Sequence, residues 1–323
     1  MSESSPGMVK ALYEELENSI MKVFVGTGDS IRPVILGFLS GMHVLLEDIP
    51  GVGKTTLALA LARSSGLDFG RIQFTPDLLP GDIIGMTVWD PDSRDFRFKA
   101  GAVNHQFILA DEINRASERT QSALLEAMAE GQLSVEGEKH PLPQPFFVIA
   151  TQNPITFAGT FMLPESQTDR FGVSTALGYP GEDHEKTILR RFRESNPLET
   201  LTAVCTPREI LQAREEISRV ELAENVEEYI IGICSRTRKG GRYRLGVSPR
   251  GSIHLMRAAQ AEAAAHGRDF VIPEDVSRAA GYVLPHRVRL SSDPRNSQID
   301  EHHMISQTLR EQKVPHVPVG RHS

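Results

Sequence analysis

Lys54, Thr55, Asp111 and Glu112 are the side chains on which chemistry could turn, and two short phrases carry them. From residue 43 to residue 56 the chain reads HVLLEDIPGVGKTT. Pro50, Gly51, Val52 and Gly53 form a turn that leaves successive backbone N–H groups unpaired, and Lys54, Thr55 and Thr56 then open a stretch rich in Leu and Ala. Unpaired N–H groups, with the partial positive charge of a helix N-terminus, favour an anion above the turn. A Gly-Lys-Thr phrase between a strand and a helix therefore reads as a phosphate-binding loop. Residues 50–56 would cradle the phosphates of a nucleotide, with Lys54 on the β- and γ-phosphates and the Thr55 hydroxyl on Mg²⁺. The strict pattern has glycine five residues before Gly53, where this chain carries Asp48.

The second phrase is QFILADEINR, residues 106–115. Its apolar run, residues 107–110, has the composition of a strand buried on both faces, and open parallel sheets bind ligands at the carboxyl ends of such strands. Asp111 and Glu112 stand there. Beside a phosphate two acids have separable tasks: Asp111 would hold Mg²⁺, directly or through water, and Glu112 would polarise the attacking water. Another apolar run, residues 146–150, ends in Thr151-Gln152-Asn153. If the two runs are neighbouring strands, Asn153 lies beside the acids and can orient water or touch the γ-phosphate; the alternative is an Asx turn before Pro154. Arg170, in LPESQTDRF, is either a solvated or paired charge or, in an oligomer, an arginine that enters a neighbour's site. Arg250 follows Ser248-Pro249 in the first turn of an Ala-rich helix, where a cation opposes the macrodipole by roughly a few tenths of a kcal/mol. An anion at that end would justify it; plain solvation is the alternative. His302-His303, without a second ligand set at metal-binding spacing, reads as a solvated loop.

Periodicity gives the elements that must hold these residues. Val9, Leu12, Leu16, Ile20 and Val23 recur at helical spacing, glycines interrupt at 26 and 28, and residues 31–39 are helical again; this helix pair could flank a nucleotide base. Residues 44–46 and 71–74 read as strands, with Gly66 as the C-cap of the helix between them. Within 78–101, Thr87-Val88-Trp89, a turn at 90–93 and the alternation Phe96-Arg97-Phe98-Lys99 make an inserted β-hairpin. A helix runs from Ser117 to Gly131, and a second small hairpin turns at Glu136-Gly137-Glu138. Near 178–183 the strand patterns cease and helices take over, among them one with a capping box from Thr206 to Glu209. The expected fold is α/β: a P-loop parallel-sheet domain over 1–180, an all-helical domain over 181–312 and a flexible tail over 313–323.

A length of 323 residues fits two domains. Hydrophobic content of 40% with 24% charged residues is that of an ordinary soluble globular protein. No apolar run has the length of a bilayer span, and MSESSPGMVK lacks the basic-then-apolar pattern of a secretory signal. Cys205 and Cys234 make no disulfide scaffold, so a cytoplasmic protein is expected. A net charge of −7 speaks against tracking nucleic acid by bulk electrostatics, although Arg94, Arg97 and Lys99 could form a local basic patch.

Taken in order, LLEDIPGVGKT, RIQFTPDLLPGDIIG, LADEINRA, ATQNP, LPESQTDRF and GVSPR resemble the MoxR family of AAA+ ATPases, from about residue 23 to residue 289. Asp48 is typical of that family. The resemblance implies Walker A at Lys54 and Thr55, Walker B at Asp111 and Glu112 and sensor 1 at Asn153. It also implies sensor 2 at Arg250 on a helical lid, and an arginine finger at Arg170 acting on the adjacent subunit. The hairpin within 78–101 matches the family's insertion in helix 2. A Mg²⁺-dependent ATPase in a homo-oligomeric ring, a hexamer, is implied, with the γ-phosphate of ATP tied to Lys54 and Arg250 of one chain and Arg170 of the next. The family's function is chaperone-like remodelling or maturation of a protein client, often with a partner carrying a von Willebrand factor A domain. Two rival classes are a nucleic-acid motor or loader, as in related AAA+ branches, and a nucleotide switch without turnover. Glu112, Asn153 and Arg170 together speak against the switch.

Overall fold

A computed structural model describes residues 7–153, 161–194, 197–239, 241–291 and 300–315. Val9, Leu12, Leu16 and Ile20 line the buried face of α1 (Met8–Met21), against which α2 (Gly28–Leu39) packs. β1 (Val44–Glu47) and α3 (Lys54–Ser65) flank the glycine turn, and α3 ends at Gly66 in left-handed backbone. β2 (Phe69–Gln73) leads through a short helix not expected from the sequence, α4 (Pro80–Ile84), into the hairpin of β3 (Gly85–Asp90) and β4 (Asp95–Ala100). β5 (Phe107–Asp111) and α5 (Glu118–Glu130) follow, the helix capped by the Ser117 hydroxyl. The hairpin of β6 (Gln132–Val135) and β7 (Glu138–Pro141), then β8 (Phe147–Gln152), α6 (Glu165–Thr168) and β9 (Val173–Thr175), complete the α/β part.

The rest is helical: α7 (Glu182–Glu194), α8 (Pro207–Ser218), α9 (Glu224–Thr237), α10 (Pro249–Ala265), α11 (Pro273–Val283) and α12 (Glu301–Glu311). It is not purely so, because β10 (Tyr243–Leu245) and β11 (Arg289–Leu290) pair as an antiparallel ribbon. His302 and His303, expected in a loop, stand exposed in the first turn of α12, where Asp300 accepts from the His303 N–H at 2.8 Å. The expected flexible tail falls mostly on residues 316–323, outside the described residues.

The main sheet has the order β2-β5-β8-β1-β9, with all pairs parallel. Side chains alternate between two apolar layers. Val44, Leu46, Phe107, Leu109, Phe147 and Ile149 join α1, α2 and α3; Leu45, Ile108, Ala110, Val148 and Ala150 join α5. Phe38 and Phe107 meet the Phe147 ring edge-on at 5.0 and 5.2 Å. The first layer continues into the helical part through Ile210, Ile233, Leu255 and Val276. A buried ionic contact between α2 and α10 also crosses between the parts. Glu262 on α10 accepts from Arg32 on α2 at 2.6 and 3.0 Å and from the Tyr282 hydroxyl at 3.1 Å.

His43, just before β1, joins three elements at the amino edge of the sheet. Its Nδ1 accepts from the Val148 N–H at 3.1 Å and its Nε2 faces the Met128 carbonyl at 3.2 Å, the pattern of a neutral ring protonated on Nε2. Burial pulls its pKa from 6.5 down to about 4. Between those values the unfolded chain binds more protons than the folded one, so this histidine costs stability as pH falls through the window. Urea midpoints should drop between pH 7 and pH 5, with about 2 kcal/mol assignable to His43. His43→Gln should make that profile shallower by about this amount, the remaining slope coming from buried His254 and His286, whose pKa values burial also lowers; an unchanged pH dependence in the variant would exclude His43 as a source.

Candidate nucleotide site

β1 delivers the chain to the carboxyl edge of the sheet, and the turn after it requires glycine twice. Gly51 (φ 86°) and Gly53 (φ 95°) take left-handed backbone, which costs an L-residue about 1–2 kcal/mol. Gly53 is the N-cap of α3, so the first N–H groups of that helix open toward the turn. Lys54 Nζ donates to the main-chain carbonyls of Asp48 and, at 3.3 Å, Ile49. Burial lowers the Lys54 pKa, while Asp48, Asp111 and Glu112 act in the opposite sense, so both acids of the second phrase are within electrostatic reach.

Asp48 also accounts for the missing glycine. It is 7% exposed, and its Oδ1 accepts from the Ile49 N–H at 2.8 Å. Its Oδ2 accepts from the N–H groups of Leu177 and Gly178 at 2.6 and 2.7 Å. Glycine could tie none of these donors. Beside the turn opens a cavity of about 470 Å³ with largely apolar walls, suited to a flat heterocyclic base. Residues 24–27, 51–53 and 177–181 line it, with Thr56, His184, Ile188 and Arg191. The wall expected from the first two helices comes mainly from the connection between them, with Ser30 of α2.

β5 and β8 are neighbours in register, Ala110 opposite Ala150, so Asp111 and Glu112 leave the sheet beside Thr151 and Asn153. Thr151 holds the acids in place: its hydroxyl donates to Asp111 Oδ1 at 2.7 Å and accepts from the Glu112 N–H at 2.8 Å. Arg71 on β2 donates to Asp111 Oδ2 at 2.6 Å. Glu112 has φ 55°, a strained value for a residue with a Cβ, and its Oε2 accepts from Arg115 at 2.9 Å and from Gln73 at 3.2 Å. The Asn153 carbonyl accepts from the Asn114 amide at 3.1 Å. Sequence reasoning missed the roles of Arg71, Gln73 and Thr151; the available signal was the i, i+2 polar pair on one side of β2. The Asp111 carboxylate and Thr55 hydroxyl are hard oxygen donors on this edge. They fit Mg²⁺, which takes few protein ligands and completes its shell with water and phosphate.

Arg170 and Arg250 lie elsewhere. Both line a cleft of about 190 Å³ with Gly41, His43, Gly172, His254 and Arg257. Residues 41–43 and 172 precede β1 and β9, so this cleft marks the amino edge of the sheet. β1 alone separates the edges by roughly 13 Å at about 3.3 Å per residue. The expectation that Arg250 shares a phosphate with Lys54 of its own chain therefore requires correction. The helical part seats α10 on the amino edge, where Ser248 donates to Asp169 at 2.9 Å and Arg250 lies 3.9 Å from the same carboxylate. Arg170 donates to the Leu125 carbonyl at 2.7 Å. Arg250, His254 and Arg257 stand at i, i+4 and i+7 on one face of α10, a spacing that could have revealed the latter two. Burial, with Arg287, Arg257 and Arg250 nearby, pulls the His254 pKa down to about 3, so the ring is neutral.

Residues 43–173 match the family model described as ATPase family associated with various cellular activities (AAA), and residues 235–308 match the AAA lid domain. YeaC of Bacillus subtilis is 44% identical over 92% of this chain and 92% of its own length. Chaperone MoxR1 of Mycobacterium tuberculosis is 37% identical over 98% of this chain and 87% of its own. A crystal structure from Cytophaga hutchinsonii, described as a candidate ATPase, superposes with a TM-score of 0.87 at 36% identity, covering 95% of this chain and 96% of that one. Among the described residues no helix is long and apolar enough to cross a membrane. With the phosphate loop, the paired acids and the lid all matched along most of its length, the chain belongs to the MoxR-type AAA ATPases.

Proposed function

We propose that this protein is a Mg²⁺-dependent ATPase acting as a homo-oligomeric ring on a protein client, each ATP lying between two copies. The observation that supports it most is the division of the chemistry between two edges of one sheet. The phosphate loop and the acids stand at the carboxyl edge; Arg170, Arg250 and Arg257 gather at the amino edge. Cations that cannot reach their own chain's loop suit a phosphate presented by a neighbour. On this reading both Arg170 and Arg250 act across the interface.

The roles of the chain's own groups follow. Turn N–H groups and Lys54 hold the β- and γ-phosphates, Lys54 exchanging its two carbonyl partners for phosphate oxygens. Glu112 accepts the proton of the attacking water, and Asn153 orients that water. The neighbour's arginines stabilise charge spread over the transferring phosphoryl group. Mg²⁺, held by Thr55 and Asp111, would neutralise phosphate charge. A sheet domain over 1–180 with a lid over 181–312, a hexameric ring, a cytoplasmic location and a partner with a von Willebrand factor A domain belong to the same proposal.

The β3–β4 hairpin favours a protein client over nucleic acid. Its Arg94, Arg97 and Lys99 are balanced by Asp90, Asp92 and Asp95, and Arg97 pairs with Asp90 at 3.0 Å. Trp89 and Phe96 are 53% and 65% exposed and pack edge-on at 5.2 Å, an apolar tip available to an unfolded segment. Replacing both with serine should leave melting and basal ATPase activity unchanged but abolish stimulation by casein as an unfolded test substrate. Loss of soluble protein would instead make the tip structural.

Glu112→Gln should bind ATP with parental affinity and turn over about two to four powers of ten more slowly, whereas Lys54→Ala should lose binding or hydrolysis. Parental turnover by Glu112→Gln would remove Glu112 from the mechanism. Arg170→Ala should cost roughly 10³–10⁵ in rate, as arginine fingers do. Mixing inactive Arg170→Ala with inactive Lys54→Ala, with subunit exchange verified by co-purifying tags, should restore part of the activity. Persistent inactivity at every mixing ratio would count against the shared site.

A further inference from the structure

The segment that carries Arg170 is gripped from the lid side by a single buried guanidinium. Arg287 follows α11, and its side chain is wholly shielded from solvent. Its Nε donates to Asp169 Oδ1 at 3.1 Å, and its terminal nitrogens donate to the carbonyls of Asp169 at 3.3 Å, Gly172 at 3.2 Å and Phe171. The Val283 carbonyl and, at 2.5 Å, His254 Nδ1 also lie within reach of them, so one hydrogen is shared between two of the six acceptors. The carbonyls of residues 169, 171 and 172 therefore turn toward one group, and Arg170 is the residue between them. Such convergence is what a planar fork with five N–H donors supplies and a lysine does not.

Asp169 carries the grip onward to Arg250. The Ser248 hydroxyl donates to Asp169, 2.9 Å from each carboxylate oxygen, and accepts from the Gly251 N–H at 3.1 Å as the N-cap of α10. Arg250 is the second residue of that helix. Gly251 leaves room for the fork: a Cβ there would lie 2.8 Å from Arg287 Cδ and 2.6 Å from Val247 Cγ1. Elsewhere the lid is held by Arg32 and Glu262, so the clamp at Asp169 is not what keeps the lid attached.

We infer that Arg287 and Asp169 are positioning residues that lock Arg170 and Arg250 into one unit, so that the seat of the lid sets how both arginines meet a neighbour's phosphate. The inference rests on the shared-site reading. A donor displaced by about 1 Å can cost on the order of 10² in rate without touching the substrate's own binding loop. The clamp should therefore appear in kcat and not in ATP affinity.

The test uses the full chain carrying Asp169→Asn, Arg287→Lys or Ser248→Gly, the last being a mild change because glycine is a tolerated N-cap. Turnover should fall by about 10- to 100-fold for Asp169→Asn and Arg287→Lys, and by less for Ser248→Gly. The affinity for a fluorescent ATP analogue should stay within about twofold of parental, since each chain keeps its own phosphate loop. Mixed with Lys54→Ala under verified exchange, Asp169→Asn should regain activity, because its intact loop then meets an intact clamp on the neighbour. Arg170→Ala mixed with Lys54→Ala runs in parallel. If that control regains activity and the Asp169→Asn mixture does not, the clamp acts within its own chain and the inference is overturned. If neither mixture regains activity, the shared site fails and the inference falls with it. Parental turnover in folded Asp169→Asn would also overturn it. Should Arg287→Lys not fold, Asp169→Asn and Ser248→Gly decide.

Discussion

All strands of the main sheet run the same way, and the rest of the molecule depends on that constraint. In a parallel sheet every carboxyl end lies on one edge and every amino end on the other. The glycine turn after β1, the acids after β5 and Asn153 after β8 thus converge, although long stretches of sequence separate them. Arg170, in the segment leading into β9, is sent to the far edge by the same rule. No rearrangement of loops could bring it to its own Lys54 without reversing a strand. β9 has no such freedom, because reversal would break its parallel ladder with β1 and pull Val173 out of the apolar layer it shares with α2.

Buried charge then decides where the lid sits. Apolar contact alone, through Ile210, Leu255 and Val276, would tolerate sliding, since hydrophobic attraction has no direction. Glu262 with Arg32, and Asp169 with Arg287, do not tolerate it. Removing one partner from such a pair typically costs about 3–5 kcal/mol, because the other charge is left buried and uncompensated. The net worth of each intact pair is smaller, so their main contribution is specificity of seating. The ribbon of β10 and β11 adds to it: Arg244 and Arg289, one on each strand, reach Glu165 on α6 at 3.5 and 3.8 Å.

How much of this is legible in the sequence follows the range of the interactions concerned. β5 and β8 are plain because burial on both faces leaves an unbroken apolar run, and the phosphate loop is plain because its glycines are forced by local backbone geometry. The hairpins announce themselves through turn residues. α4, five residues long, is too short to show a period. Arg71 and Gln73 become part of the site only because β2 is the neighbour of β5, and Thr151 only because β8 is the other neighbour; strand order is not written locally. The position of Arg250 is the clearest case. Its type and its place in the first turn of a helix point to an anion, but which anion depends on where a lid some two hundred residues from the phosphate loop comes to rest.

Two carboxylates now look alike in design. Asp48, at the carboxyl edge, gathers N–H groups from residues 49, 177 and 178 and so ties the phosphate loop to the start of the connection toward α7. Asp169, at the amino edge, gathers Ser248 and Arg287 and so ties the arginine segment to the lid. Each accepts several donors at once, which is the setting in which an ionised carboxylate makes its strongest hydrogen bonds. Asp169 joins the α/β part to the helical part at the amino edge, and Asp48 fixes the start of the connection between them at the carboxyl edge. The position of the phosphate loop is tied to residues 177–178 through Asp48, and that of the lid to the Arg170 segment through Asp169. The close-packed sheet lies between the two ties, and packed interiors are stiff. On the shared-site reading proposed above, these two carboxylates would link the phosphate loop of one copy to the arginines it offers to the next.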